Sequence, residues 1–181
     1  MRFWANLAGY QLVWFGVVIF AGRGQPWLSV MLAAVFALAQ WQVSRQRVSD
    51  GRLLACAVAL GIALDGSLAS SGLLRYASPS PALLAPAWIL ALWAAFAMTL
   101  NQSMLFLRGR PMVAAVFGAV GGPLAYAGAA RGFDAVAFAA PAWPAMLALG
   151  LGWAIAMSVL AMLAQRWHGE VHATSTLEIA R

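Results

Sequence analysis

Pro86–Leu107, PAWILALWAAFAMTLNQSMLFL, carries no formal charge at any position. At ~1.5 Å per residue, a helix of that length crosses the ~30 Å hydrocarbon core of a bilayer. The run also holds an indole, Trp93, and a carboxamide, Asn101, well inside its ends. Lipid satisfies neither group, so both are expected to face other helices. Long apolar runs on either side of it supply those helices.

The composition agrees. The chain of 181 residues is 64% hydrophobic and 9% charged, with a mean hydropathy of +0.82. A soluble domain is nearer half apolar and a quarter charged. Every basic residue is arginine, and the formal net charge is +6. The arginines fall in short connections between apolar runs, a pattern of membrane topology rather than a nucleic-acid patch. The lone cysteine, Cys56, lies inside an apolar run, which rules out an intramolecular disulfide and gives thiol catalysis little support. Met1-Arg2-Phe3 followed by an apolar run mimics a signal peptide. The run is long, carries Trp4 and Trp14, and precedes more of the same, so it is expected to be a retained first helix.

Working outward from Pro86–Leu107, six apolar segments are expected: about 3–21, 27–43, 53–74, 86–107, 112–130 and 144–165. The predicted architecture is all-α, a polytopic transmembrane bundle of about six helices over residues 1–165. Residues 166–181 form a polar, loosely ordered cytoplasmic tail. With both termini inside, Arg2, Arg45, Arg47, Arg52, Arg108, Arg110, Arg166 and Arg181 are cytoplasmic, and only Arg23, Arg75 and Arg131 are outside. Trp4, Trp41 and Trp167 then fall at the inner interface and Trp27, Trp88 and Trp143 at the outer one, where indoles are favoured. Trp14, Trp93 and Trp153 fall near mid-depth, either filling the bundle or walling a cavity.

Asp65 is the sharpest single residue. It lies ~20 Å from the inner boundary by helical rise, where an ionisable side chain is a functional candidate unless a broken helix brings it to water or to Arg75. Ala57 and Gly61 share its helical face and permit close approach by another helix. Gly121-Gly122-Pro123 predicts a kink with freed carbonyls, and Tyr126 follows near the depth of Asp65. Trp14, Asp65, Trp93, Pro123 and Tyr126 therefore form one layer in the outer half. A second polar layer nearer the cytoplasm holds Asn6, Gln11, Gln40, Asn101 and Gln102, as interhelical glue. Trp93, Ala97 and Asn101 lie on one face of the fourth helix and connect the layers. Arg75 has Asp65, Asp134 or a lipid phosphate as candidate partners. His168, Glu170 and His172 read as a solvated tail rather than a metal pair. No phosphate loop, HExxH helix or nucleophile elbow is present, and no metal or cofactor is expected.

Asn6 with Gly9-Tyr10-Gln11 and Trp14-Phe15, Leu64-Asp65-Gly66, Gly72-Leu73-Leu74-Arg75-Tyr76, Leu92-Trp93 with Thr99-Leu100-Asn101, and Gly121-Gly122-Pro123 with Ala125-Tyr126 carry a resemblance. Over nearly the whole chain except the tail, the sequence resembles a family of small proteobacterial inner-membrane proteins classed as a domain of unknown function. The resemblance implies a multi-pass protein of the bacterial inner membrane and a gene neighbourhood of lipid modification. It supplies no catalytic residues.

The functional expectation is binding or transport of a lipid-like or small apolar molecule in an intramembrane cavity, with Asp65, Trp93, Asn101, Tyr126, Arg75, Trp14 and Pro123 as candidate binding residues. An intramembrane lipid-modifying enzyme using Asp65 with Tyr126 or Arg75 is one alternative. An accessory or scaffold subunit for lipid-modifying partners is the other. Expected partners are membrane lipids, a lipid-like ligand and a membrane-protein partner, and nucleic acid is excluded.

Overall fold

The computed structural model describes residues 2–77 and 85–179. Its helices are α1 Arg2–Gly22, α2 Pro26–Val43, α3 Arg47–Ser70, α4 Ala87–Leu100, α5 Pro111–Phe133 and α6 Trp143–Ile179. Two three-residue strands, β1 Leu74–Tyr76 and β2 Val136–Phe138, follow α3 and α5. Pro26 and Pro111 open α2 and α5, where the missing N–H would have had no helical partner anyway. Five of the helices are long and apolar enough to cross a membrane. The protein is an all-α multi-pass membrane bundle, and its outer surface carries the apolar side chains that lipid requires. Leu12 and Phe15, Met31, Val35 and Leu38, and Leu147, Leu151 and Ile155 are all exposed at helical spacings.

Pro86–Leu107 does not form one continuous span. α4 has 14 residues, about 21 Å of helix. The chain then tightens through Asn101–Met104 into a short 3-10 turn, Leu105–Leu107. The amides of Gln102 and Met104 both close on the Thr99 carbonyl. The Asn101 side chain meanwhile leaves the helix to donate to Asp50 Oδ1 at 2.7 Å and accept from Arg108 at 2.7 Å. An apolar composition hides this end, because the residues that cap it are buried in the bundle. Ten of the fourteen α4 residues are buried, and α1, α2, α3 and α6 all pack on it. It is the shaft of the molecule rather than one more stave.

Other boundaries also shift. α3 starts at Arg47, so the polar connection 44–52 is partly helical, and it continues unbroken past Asp65 to Ser70. α6 runs on to Ile179, through residues read from sequence as a loose tail. The Ser- and Pro-rich loop at 78–84 and Arg181 lie outside the described residues, as do the side chains of Glu170 and His172.

Contacts between helix ends fix an alternating up-and-down course. Asn6 bonds Gln40 at 3.0 Å and the Met98 carbonyl at 3.3 Å, and accepts from Ser103, joining the start of α1 to the ends of α2 and α4. Gln46 meets His168 at 2.9 Å, bringing the start of α3 to α6. Arg45, Arg47, Arg52, Arg108, Arg110 and Arg166 thus share one end of the bundle, and Arg23, Arg75 and Arg131 the other. At this second end β1 and β2 pair antiparallel, Leu74 opposite Phe138 and Tyr76 opposite Val136. Asp134 takes a left-handed φ of 52° to turn the chain from α5 into β2.

Candidate functional site

Asp65 is fully buried in the middle of the bundle and accepts three hydrogen bonds. Tyr76 donates to Oδ1 at 2.6 Å, Tyr126 donates to the same oxygen, and Trp93 Nε1 donates to Oδ2 at 2.7 Å. The donors come from β1, α5 and α4, so one carboxylate ties four elements together. A carboxyl group removed from water is tolerated only when hydrogen-bonded, and these three donors meet that need without a cation.

Local sequence explains each approach. A Cβ on Gly61, one turn before Asp65, would fall within 2.5 Å of the Trp93 ring, so only glycine leaves room for the indole. In β1 the pleat alternates, with Leu74 and Tyr76 buried and Arg75 exposed, which turns the phenol inward. Burial, and then the neighbouring Asp65, pushes the Tyr76 phenol up, so it remains a donor. Trp93 stacks on Trp153 of α6, ring centroids 4.2 Å apart and planes within 10°. Gly118 and Gly122 let α6 come close enough for this: a Cβ on either would collide with Trp153. The Trp153 indole N–H approaches the Tyr126 hydroxyl without reaching hydrogen-bond geometry.

Beside this cluster lies a cavity of ≈ 390 Å³ between α1, α4, α5 and α6. Tyr10, Trp14, Phe96, Gly121, Tyr126 and Trp153 are among its walls. It exists because α1 and α5 meet at one end and part below it. At that end Gly22 abuts the Phe133 carbonyl, and Trp14 and Phe15 pack edge-on against the Phe133 ring at 6.3 and 6.0 Å. Further down, Gln11, Phe117 and Leu124 are exposed and also line the cavity, so its mouth opens on the lipid-facing surface.

The structure brings Asp65, Trp93 and Tyr126 together and puts Trp14 on the cavity wall, away from the carboxylate. The other candidates lie elsewhere. Pro123 sits within an unbroken α5. Its missing N–H frees the Ala119 carbonyl, which packs with Pro123 toward Gly150 of α6 rather than into the cavity. Arg75 is exposed and is not a partner of Asp65. Asn101 belongs to a separate cluster at the arginine-rich end, with Ser49, Asp50 and Arg108. Burial there lowers the Arg108 pKa from its usual value, opposed by the charge of Asp50. Trp88 is no interface anchor: it is 1% exposed, packs edge-on to Tyr76 at 6.0 Å, and its indole N–H has no partner among the described residues. Sequence reasoning missed Tyr76 as a partner of the acid. The three-residue strand that turns Tyr76 inward is too short to announce itself in the sequence.

Residues 3–159 match the family model described as "Protein of unknown function (DUF2878)". No curated protein and no solved structure matches the chain.

Proposed function

The chain belongs to the DUF2878 family, and from its own geometry we propose that it binds a small apolar or lipid-like molecule inside the bilayer. One observation carries this reading: a ≈ 390 Å³ cavity with predominantly apolar walls, opening between α1 and α5 toward lipid. That volume lies at the lower end of the ~300–1,000 Å³ range of small-molecule pockets. It suits one chain or a compact ring system better than a two-chain phospholipid. Asp65 acts as the positioning residue, since both of its oxygens are already engaged in fixing Tyr126 and Trp93 on the cavity side. This supports binding over acid–base catalysis. The arginine bias favours an orientation with both chain termini facing the cytoplasm, and the bacterial inner membrane and a lipid-modification gene neighbourhood are what the family resemblance implies.

Gly121 provides the test. It lines the cavity, and a Cβ there meets nothing within 4 Å. Gly121→Leu is expected to fill the space with a side chain and leave the fold intact. Protein purified from native membranes should carry an extractable apolar ligand that the variant lacks. Equal ligand content in the two preparations would overturn the proposal.

A further inference from the structure

Two neighbouring side chains on the cavity carry polar groups with no hydrogen-bond partner among the described residues. Gln11 is the tenth residue of the 21-residue α1, close to mid-helix. It is exposed, and it has no hydrogen-bond partner among the described residues although it lines the cavity. Tyr10, beside it, packs its ring against Phe36 and Phe96, while its hydroxyl likewise makes no hydrogen bond among the described residues. The sequence reading grouped Gln11 with the interhelical glue, but Asn6, Gln40 and Ser103 complete that network without it.

A carboxamide facing hydrocarbon at that depth is costly unless something satisfies it. Its position explains what that something is. α1 and α5 run side by side in the same direction, with Gly22 against Phe133. Eleven residues back along each helix lie Gln11 and Gly122, both on the cavity wall. Gln11 therefore stands at the mouth, level with the open stretch of α5. From Phe117 to Ala129 the α5 wall runs ~18 Å along the bundle axis, so the space is long and narrow. None of the described residues lining it is charged. An ionised head group would enter without a counter-ion, whereas a neutral polar group meets Gln11 and Tyr10.

We propose that the cavity takes an uncharged single-chain amphiphile, whose neutral hydrogen-bonding group is held by Gln11 at the mouth between α1 and α5, with Tyr10 on the adjoining wall. The chain lies along α5 toward the Trp93–Trp153 stack. This deepens the proposed function and rests on it. A hydroxyl or carbonyl on the ligand pairs with the Gln11 carboxamide, and the hydrocarbon replaces void in the apolar interior. Phospholipid head groups and ionised fatty acids are excluded by the missing counter-charge.

The test uses the full chain in lipid nanodiscs and four terminally brominated twelve-carbon probes, which quench nearby indoles: an alkane, a primary alcohol, an alkyl sulfate and an alkyl trimethylammonium. Quenching that disappears in Gly121→Leu reports the cavity and subtracts the surface tryptophans. The alcohol should reach half-quenching at about one-tenth of the alkane concentration, as one hydrogen bond to an otherwise unsatisfied group implies. The two charged probes should do no better than the alkane. Gln11→Leu should bring the alcohol level with the alkane and leave the alkane unchanged, and Tyr10→Phe should remove part of the preference. Alcohol and alkane binding equally in the unaltered protein would overturn this inference while leaving the cavity a ligand site. So would a preference that survives both substitutions, or a charged probe that matches the alcohol. If no probe gives quenching sensitive to Gly121→Leu, the ligand cavity itself is refuted and this inference falls with it.

Discussion

At the scale of single residues, Asp65 and Gln11 are opposite solutions to placing a polar group in a bilayer. Asp65 has three donors and no exposure; Gln11 has exposure and no partner among the described residues. Their substitutions should therefore move stability in opposite directions. Asp65→Asn keeps an oxygen for the two phenols but sets its amide N–H against that of Trp93, and should cost about 1–3 kcal/mol. Tyr76→Phe should cost about 1 kcal/mol, whereas Gln11→Leu should raise the unfolding temperature of ligand-free protein. Thermal unfolding in one detergent checks all three, and an Asp65→Asn protein as stable as its parent would contradict the carboxylate clasp. Helical counting alone placed Asp65, Trp93 and Tyr126 in one layer, because depth follows directly from residue number in a straight helix. It did not reveal Tyr76, whose placement depends on a three-residue strand too short to leave a periodic signal.

Among the elements, two adjacent glycines of α5 do different work. Gly122 receives the Trp153 ring and Gly121 faces open space. Gly122→Leu should prevent α5 from seating on α6 and leave little folded protein by size-exclusion chromatography. Gly121→Leu should elute as the parent does. The Gly-Gly-Pro sequence drew attention to proline, yet the packing is governed by Gly118 and Gly122, spaced one turn apart on the face toward α6. Sequence marks glycines without saying which neighbour needs the room. The same limit applied to α4. Its apolar run continues to Leu107, but the helix stops where Asn101 finds better partners in Asp50 and Arg108. In β1, Arg75 points outward, so Arg75→Ala should change stability by less than ~0.5 kcal/mol in the same unfolding assay.

For the molecule as a whole, the six helices and their alternating course were legible from the apolar runs and the arginines between them, because hydrocarbon leaves the backbone few other choices. The cavity was not, since it arises from the divergence of α1 and α5 and no local pattern records that. Orientation is testable with Cys56→Ala as background. Arg110→Cys should react with an impermeant maleimide only in inside-out vesicles, and Arg131→Cys only in right-side-out vesicles; the reverse would invert the topology. The carboxylate clasp also has a consequence for biogenesis. Tyr76 lies 11 positions beyond Asp65, Trp93 28 and Tyr126 61, so the ribosome delivers the acid to the membrane before its set of donors is complete. α3 must therefore wait, at the insertion machinery or in the company of α1, α2 and α4, for α5 to bring the last of them. A nascent chain halted before α5 holds its acid with Tyr76 and Trp93 made and the third donor still missing.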